Sequence, residues 1–427
     1  MDQNPATGEI IDRILCTTPD DLNDIVRRAN DAQKEWSVLS LDERIELLKA
    51  GCEKLGEVVE ELAVKTTEEM GKPLAEARDE SNFSVDKAEF LELVRKANED
   101  EVLGEDGGAQ SMVVRDPLGV VAVLSPWNFP SGEIMFLALP ALAAGNSVIV
   151  KPSEVSPIVG KMTVEALASV LPPGVLQLVQ GDGSVGQLLV ESDGIHMVAM
   201  TGSTAVGRSI MSACASKLKR LVLELGGKDP MVVFADADID TAAKDAVQHS
   251  LENTGQVCCS IERIYVDDAI RGDFERKVVE IASKWKVGNG MDPENKVGPL
   301  VSQMQRDRVA QQVEVAVENG AKVLFKGSIP EPSSEGTSFY PVTVLSGINQ
   351  DMEIQKVETF GPVVSITGFN GTEEEAVKLA NDTEYGLASC VYTMDTNKAQ
   401  RVARQIQSGQ VGVNCYSLTK ADIACPW

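Results

Sequence analysis

The residues of this chain that could do chemistry sit in a few short stretches. Gly255-Gln256-Val257-Cys258-Cys259 places a thiol just after a helical stretch from about Ile239 to Leu251. Most cysteines are small buried hydrophobes, so Cys258 becomes a candidate nucleophile only through its company. Leu223-Glu224-Leu225 sets a carboxylate in an apolar strand, where burial would raise its pKa toward the range of a general base. A salt-bridged or solvent-facing glutamate is the plain alternative. Pro126-Trp127-Asn128-Phe129-Pro130 fixes an asparagine between two prolines and two aromatics, a rigid place for a side-chain amide donor or simply a proline-braced turn.

Two glycine turns could receive a nucleotide. Gly181-Asp182-Gly183-Ser184-Val185-Gly186 follows an apolar strand and opens a helix, matching G-x-G-x-x-G, a weak signal on its own. Thr201-Gly202-Ser203-Thr204-Ala205-Val206-Gly207 again joins a strand to a helix and offers backbone N–H groups to phosphate. By spacing alone either turn could be a plain connection.

Such groups need elements to hold them. Thr18 and Pro19 open a first helix; Ser40 and Glu43 form a capping box before a long second helix stopped by Gly71 and Pro73, and a third runs through Phe90, Leu91 and Leu93. From about residue 112, short Val/Ile-rich runs (Val120 to Leu124, Ser147 to Val150, Val175 to Val179, Leu221 to Leu223) alternate with helical stretches, which predicts a parallel sheet. A second such series starts at Met231, and Gly226-Gly227 marks the passage between the two α/β domains.

The 427 residues, 43% hydrophobic, suffice for two or three domains. A net charge of −26 with no basic stretch argues against nucleic acid and anionic lipid as partners. Eight scattered cysteines without C-x-x-C, and two histidines (His196 and His249) away from ligand spacing, predict neither a disulfide framework nor a metal site. No run of eighteen apolar residues and no basic, apolar leader is present, so the chain as given reads as cytosolic and soluble; a cleaved organelle presequence would leave no trace.

Six stretches, PWNFP (126–130), KPSE (151–154), TGSTAVG (201–207), LELGGK (223–228), GQVCC (255–259) and ETFGPV (358–363), occur in the order and approximate spacing of the aldehyde dehydrogenase superfamily. The chain resembles that family from Asn4-Pro5-Ala6-Thr7-Gly8-Glu9 to Gly412-Val413-Asn414-Cys415. The resemblance implies a Rossmann-type parallel-sheet NAD-binding domain (1–98 and 118–226), an oligomerisation β-arm (99–117), an α/β catalytic domain (227–411), and a return to the first domain over 412–427.

It implies Cys258 as nucleophile, with the oxyanion between the Asn128 amide and the Cys258 backbone N–H, and Glu224 as base for the water that hydrolyses the thioester. Lys151 and Glu154 would hold the adenosine ribose, Gly202, Ser203 and Gly207 the pyrophosphate, and Glu358 the nicotinamide ribose, with Trp127 and Phe360 also at the cofactor. The TGST turn thereby outranks Gly181 to Gly186, which is expected beside the adenine. Phe136 matches a substrate-channel aromatic, and Cys259 could tune that pocket or pack. Glu133, one turn before Phe136, could favour a cationic aldehyde, and no arginine is obviously placed for succinate semialdehyde. Glu154 would repel the 2′-phosphate of NADP by a few kcal/mol at about 4 Å, favouring NAD.

The partner expected is thus a small-molecule aldehyde, with homo-dimers or tetramers in the full-length form. The chain stops at Trp427, where family members continue through a glycine-rich segment and a subunit-pairing strand, so a C-terminal truncation with weakened activity and pairing is expected. Two other readings remain: a CoA-acylating or phosphate-linked relative, against which Glu224 argues, and a non-catalytic protein that keeps the fold, against which Cys258, Asn128 and Glu224 argue.

Overall fold

The computed structural model describes residues 1–330 and 336–416. They form two compact units: one of residues 1–3, 10–69 and 75–224, the other of 4–9, 70–74 and 225 onward.

The first unit is built on a five-stranded, all-parallel sheet in the order Leu176–Leu178, Ser147–Lys151, Val120–Leu124, Met197–Thr201, Arg220–Glu224. The two strands at its centre are buried almost throughout, which is why they read as unbroken apolar runs and not as an alternation. Leu48, Leu55, Leu139 and Leu142 of the covering helices pack with Val121, Val123, Val148 and Val150 into one core. The chain winds outward one way from Val120–Leu124 and then returns to add Met197–Thr201 on its other side. The switch point therefore lies between these two neighbours, and a crevice at their carboxyl ends is the place such sheets offer a ligand.

Local signals near the start are realised as the residues dictate. The Thr18 side chain accepts the Asp21 N–H at the start of Pro19–Trp36, and Ser40 and Glu43 exchange both bonds of a capping box. The long second helix is in fact two, Leu41–Gly56 and Val59–Met70, broken just after Gly56, a poor helix former. Two helices, Leu74–Val85 and Ala88–Asn98, stand where one was expected. Glu101–Asp106 and Ala109–Val113 form an antiparallel hairpin with every residue exposed, Val102, Leu103, Met112 and Val113 among them.

The second unit holds a seven-stranded sheet in the order Lys322–Lys326, Thr343–Ser346, Val363–Phe369, Ile261–Asp267, Asp229–Val233, Ala388–Tyr392, Gln410–Val413. All neighbours are parallel except the first pair. Helices Ile239–Leu251 and Arg271–Ala282 pack on it through Ala243, Val247, Phe274 and Val278 against Val233, Ile264, Val266 and Ile366. Gly412 and Val413 pair with Ala388–Tyr392, so residues 412–416 stay with this unit instead of returning to the first, as expected for 412–427; residues 417–427 lie outside those described.

Candidate active site

In the first unit the marked residues collect at the carboxyl ends of the strands. The 126–130 loop follows Val120–Leu124, Lys151 ends its own strand, Gly202 and Ser203 follow Thr201, and Glu224 ends the edge strand. Asn128 is buried, Trp127 and Glu224 are half-buried, and Ser203 is exposed. The Ser203 side chain caps helix Thr204–Ala215, whose first turn presents Ala205 and Val206 to solvent. This is a solvent-facing helix N-terminus with its positive dipole end, a fit for phosphate. A Cβ on Gly202 would come within 2.6 Å of the terminal methyl of Met200, the flexible end of that side chain, so the turn lies close against its strand. Gly202 N–H donates to the Glu224 carbonyl at 2.9 Å, which ties the turn to the strand carrying the carboxylate.

Burial pushes the Glu224 carboxyl above the usual carboxylate range, and among the described residues it has no hydrogen-bond partner. Lys151 Nζ is buried, donates to the Pro152 carbonyl at 3.1 Å and stands 3.6 Å from the exposed Glu154 carboxylate. Gly186 of the first glycine turn faces the Lys151 side chain, where a Cβ would sit 3.4 Å from Cδ. The two glycine turns thus flank one edge, with the Gly181 turn on the Lys151 side.

Phe136 is half-buried and packs on Phe83 and Phe90, at centroid separations of 5.5 and 5.6 Å. Lys87 Nζ lies 3.3 Å from the Phe83 centroid. Glu133 Oε2 accepts from the Thr201 hydroxyl at 2.9 Å.

In the second unit three marked segments lead into three adjacent strands at their amino ends: 226–228 into Asp229–Val233, 255–260 into Ile261–Asp267, and 358–362 into Val363–Phe369. Cys258 and Cys259 are the central residues of a turn closed by Ser260 N–H on the Val257 carbonyl at 3.0 Å. Cys258 is partly exposed. Neither its backbone N–H nor that of Cys259 meets an acceptor among the described residues. Asn253, Thr254 and Gly255 all have positive φ (49°, 63° and 72°), a left-handed turn that Asn253, Thr254 and Gln256 bond together in the buried interior. Two non-glycine residues held this way store strain next to the candidate nucleophile.

The glycine pair has a steric purpose here. A Cβ on Gly227 would lie 2.2 Å from the Cys258 carbonyl oxygen, and one on Gly226 would lie 2.7 Å from both Glu358 carboxylate oxygens. Gly227 N–H donates to Glu358 Oε1 at 3.0 Å. Burial first, and the Glu262 carboxylate second, push the Glu358 carboxyl up to about 7. Cys259 is 1% exposed and packs in the core; its hydrogen bond with the Cys258 side chain and its burial push its thiol well above the ordinary value. Such burial suits the packing role and does not suit a side chain lining a substrate pocket.

Residues 2–427 match the model of the aldehyde dehydrogenase family. The chain belongs to that family. The glutarate-semialdehyde dehydrogenase of Pseudomonas putida is 37% identical over 414 residues, covering 96% of this chain and 85% of the relative. The betaine aldehyde dehydrogenase of Sinorhizobium fredii is 36% identical, covering 98% and 86%. The solved structure of PnpE in complex with nicotinamide adenine dinucleotide superposes with a TM-score of 0.93 at 35% identity, covering 99% and 87%. This aldehyde dehydrogenase is accordingly an oxidoreductase of α/β architecture with a Rossmann-type cofactor sheet. Among its described residues no helix is long and apolar enough to cross a membrane, and no cluster of three or more ligating side chains could hold a metal.

One buried charged pair beside these segments was not legible in the sequence. Glu262, buried in the Ile261–Asp267 strand, pairs with the fully buried Lys228, and its two oxygens accept the N–H groups of Thr359 and Phe360 at 2.7 and 2.8 Å. Lys228 also donates to the Thr359 hydroxyl at 2.9 Å. Burial pushes the Lys228 ammonium down while Glu262 pulls it back up. The pair holds the Glu358 loop, including Phe360, whose φ of +54° is strained for an aromatic residue. The available signal was the charged Glu262-Arg263 pair inside an apolar strand.

Two outcomes follow. Glu262→Gln leaves the Lys228 charge buried without its partner and is expected to cost about 3–5 kcal/mol in urea unfolding. Glu358 carries the second. Between its ordinary 4.5 and about 7 the folded protein keeps a proton that the unfolded chain has released, so this group's stabilising contribution is full at low pH and falls as pH rises through that window, by about 3 kcal/mol. The stability difference between wild type and Glu358→Gln, measured at pH 5 and pH 8, should change by that amount.

Proposed function

We propose that this protein oxidises an aldehyde to the carboxylic acid with NAD by covalent catalysis at Cys258. The supporting observation is the sorting of the marked segments onto two sheet edges. PWNFP, KPSE, TGSTAVG and Glu224 occupy the carboxyl edge of one, and the Gly227, Cys258 and Glu358 segments the amino edge of the other.

The Cys258 sulfur, as thiolate, forms a bond to the carbonyl carbon. The oxygen that gains the charge is stabilised by the Asn128 side-chain amide and by the Cys258 backbone N–H, which has no competing acceptor among the described residues. Loss of hydride from that carbon leaves a thioester. Glu224, raised by burial and without a hydrogen-bond partner among the described residues, takes a proton from water as the water oxygen attacks; the C–S bond then breaks and the acid leaves. NAD, when bound, supplies the hydride acceptor.

The residues present fit that cofactor. Lys151 and Glu154 would take the adenosine ribose, Gly202, Ser203 and Gly207 the phosphates at a solvent-facing helix start, and Glu358 the second ribose, with Trp127 and Phe360 against it. The family includes NAD-bound and NADP-dependent members; here the Glu154 carboxylate disfavours a 2′-phosphate, so NAD is the preferred form. Phe136 would line the path of the aldehyde tail, and the exposed apolar hairpin of residues 99–117 would pair with a second copy of the chain.

A CoA-acylating reaction has no use for a free carboxylate at Glu224. The two are separated by assaying acid formation with and without CoA: acid formed at full rate without CoA supports hydrolysis, and a strict need for CoA overturns it.

A further inference from the structure

Tyr416 reaches back from beyond the edge strand to the nucleophile's turn. It is 6% exposed, and its phenol O–H donates to the Cys259 carbonyl. Its ring lies flat on the His249 imidazole, with centroids 4.0 Å apart and planes 17° from parallel. His249 stands in the last turn of Ile239–Leu251, and its carbonyl accepts from the Ser260 hydroxyl at 3.0 Å. Both residues after Cys258 are therefore tied down, Cys259 through the phenol and Ser260 through the main chain of His249.

The side before them is tied as well. The Cys258 carbonyl packs against Gly227 with no room for a Cβ, and the turn is closed from Ser260 to Val257. In a β-turn the orientation of successive peptide planes decides which way the central N–H and side chain point. Two successive carbonyls, those of Cys258 and Cys259, are fixed here, the first by close packing and the second by one hydrogen bond. Removing that bond leaves the Cys259 carbonyl without its donor and frees its peptide plane to rotate.

We propose that Tyr416 is a positioning residue for Cys258: by holding the Cys259 carbonyl while stacked on His249, it keeps the Cys258 sulfur and backbone N–H in one shared orientation. It acts through the turn and touches neither aldehyde nor cofactor. The proposal rests on the reading of Cys258 as nucleophile.

Tyr416→Phe keeps the ring and its stack and removes only the donor. We expect kcat to fall about 10- to 100-fold with KM for NAD unchanged, and iodoacetamide alkylation of Cys258 to slow at least threefold at fixed pH, with the thermal midpoint lowered by no more than a few degrees and the protein fully folded at the assay temperature. His249→Phe, which preserves stacking, should retain wild-type rates, whereas His249→Ala should share the loss. A Tyr416→Phe protein with kcat and alkylation rate within twofold of wild type overturns the proposal. So does a loss of activity matched by an equal loss in the fraction folded, which marks Tyr416 as packing alone. Cys258→Ala, assayed in parallel, separates the two layers: if it still turns over, the nucleophile reading fails; if it is dead while Tyr416→Phe is fully active, only the positioning role fails.

Discussion

Cys258→Ala is expected to abolish aldehyde oxidation, lowering kcat by about 10⁴-fold or more while leaving NAD affinity and the folded state intact. The magnitude follows from the role proposed for the residue: without sulfur there would be no covalent adduct, and a donor pair alone cannot turn water into an equivalent nucleophile. The fold should tolerate the change, because Cys258 is partly exposed and alanine shares the backbone range that a turn position needs. Stopped-flow absorbance with an aldehyde gives the rate, and fluorescence titration with NAD gives the affinity. Cys259→Ala serves as the contrast. That side chain is buried in the core, so the expected result is a loss of stability with chemistry largely preserved.

Glu224→Gln separates the two halves of the reaction. Acylation needs no base at that position, so the first turnover should still produce NADH in a burst of about one equivalent per site. Hydrolysis of the thioester should then be slowed by about 10²- to 10⁴-fold, and the acyl group should be visible on Cys258 by intact mass. In the wild type the acid limb of the kcat profile should lie above the ordinary carboxylate range, because burial favours the protonated form of Glu224. A variant that loses the burst together with steady turnover would show that Glu224 is needed before the thioester forms.

The sequence was informative where a local pattern has only one local outcome. Thr18 and the Ser40/Glu43 box mark their helix starts, and Val120 to Leu124 and Ser147 to Val150 are buried strands because nothing but burial on both faces explains such runs. Gly226 and Gly227 show the limit. As a glycine pair between two domains they read as a passage, yet a Cβ on Gly227 would strike the backbone carbonyl of distant Cys258, and one on Gly226 would displace the carboxylate of distant Glu358.

The left-handed turn at Asn253 and Thr254 was illegible for the same reason: Asn tolerates that backbone region but β-branched Thr does not, and the conformation is held by bonds such as Thr254 hydroxyl to the Gly298 carbonyl and Asn253 amide to the Gln256 carbonyl. Glu262 went unread because its partner Lys228 lies 34 residues away, just before the neighbouring strand, and only strand order brings the charges together. Asn128, Gly202 and Glu224 follow the carboxyl ends of their strands, where parallel sheets commonly offer a ligand site, whereas the Cys258 and Glu358 segments lie at the amino edge of their own sheet, for which that rule gives no hint.

The most direct test of the central claim is absorbance at 340 nm with NAD and a panel of aliphatic, aromatic, semialdehyde and aminoaldehyde substrates, with the acid product quantified in the same samples. The account predicts one NADH per acid formed, no requirement for CoA, faster turnover with NAD than with NADP, and no signal from Cys258→Ala. A folded wild type that binds NAD but forms no acid from any of these aldehydes, or a Cys258→Ala variant that matches it in rate, would contradict it.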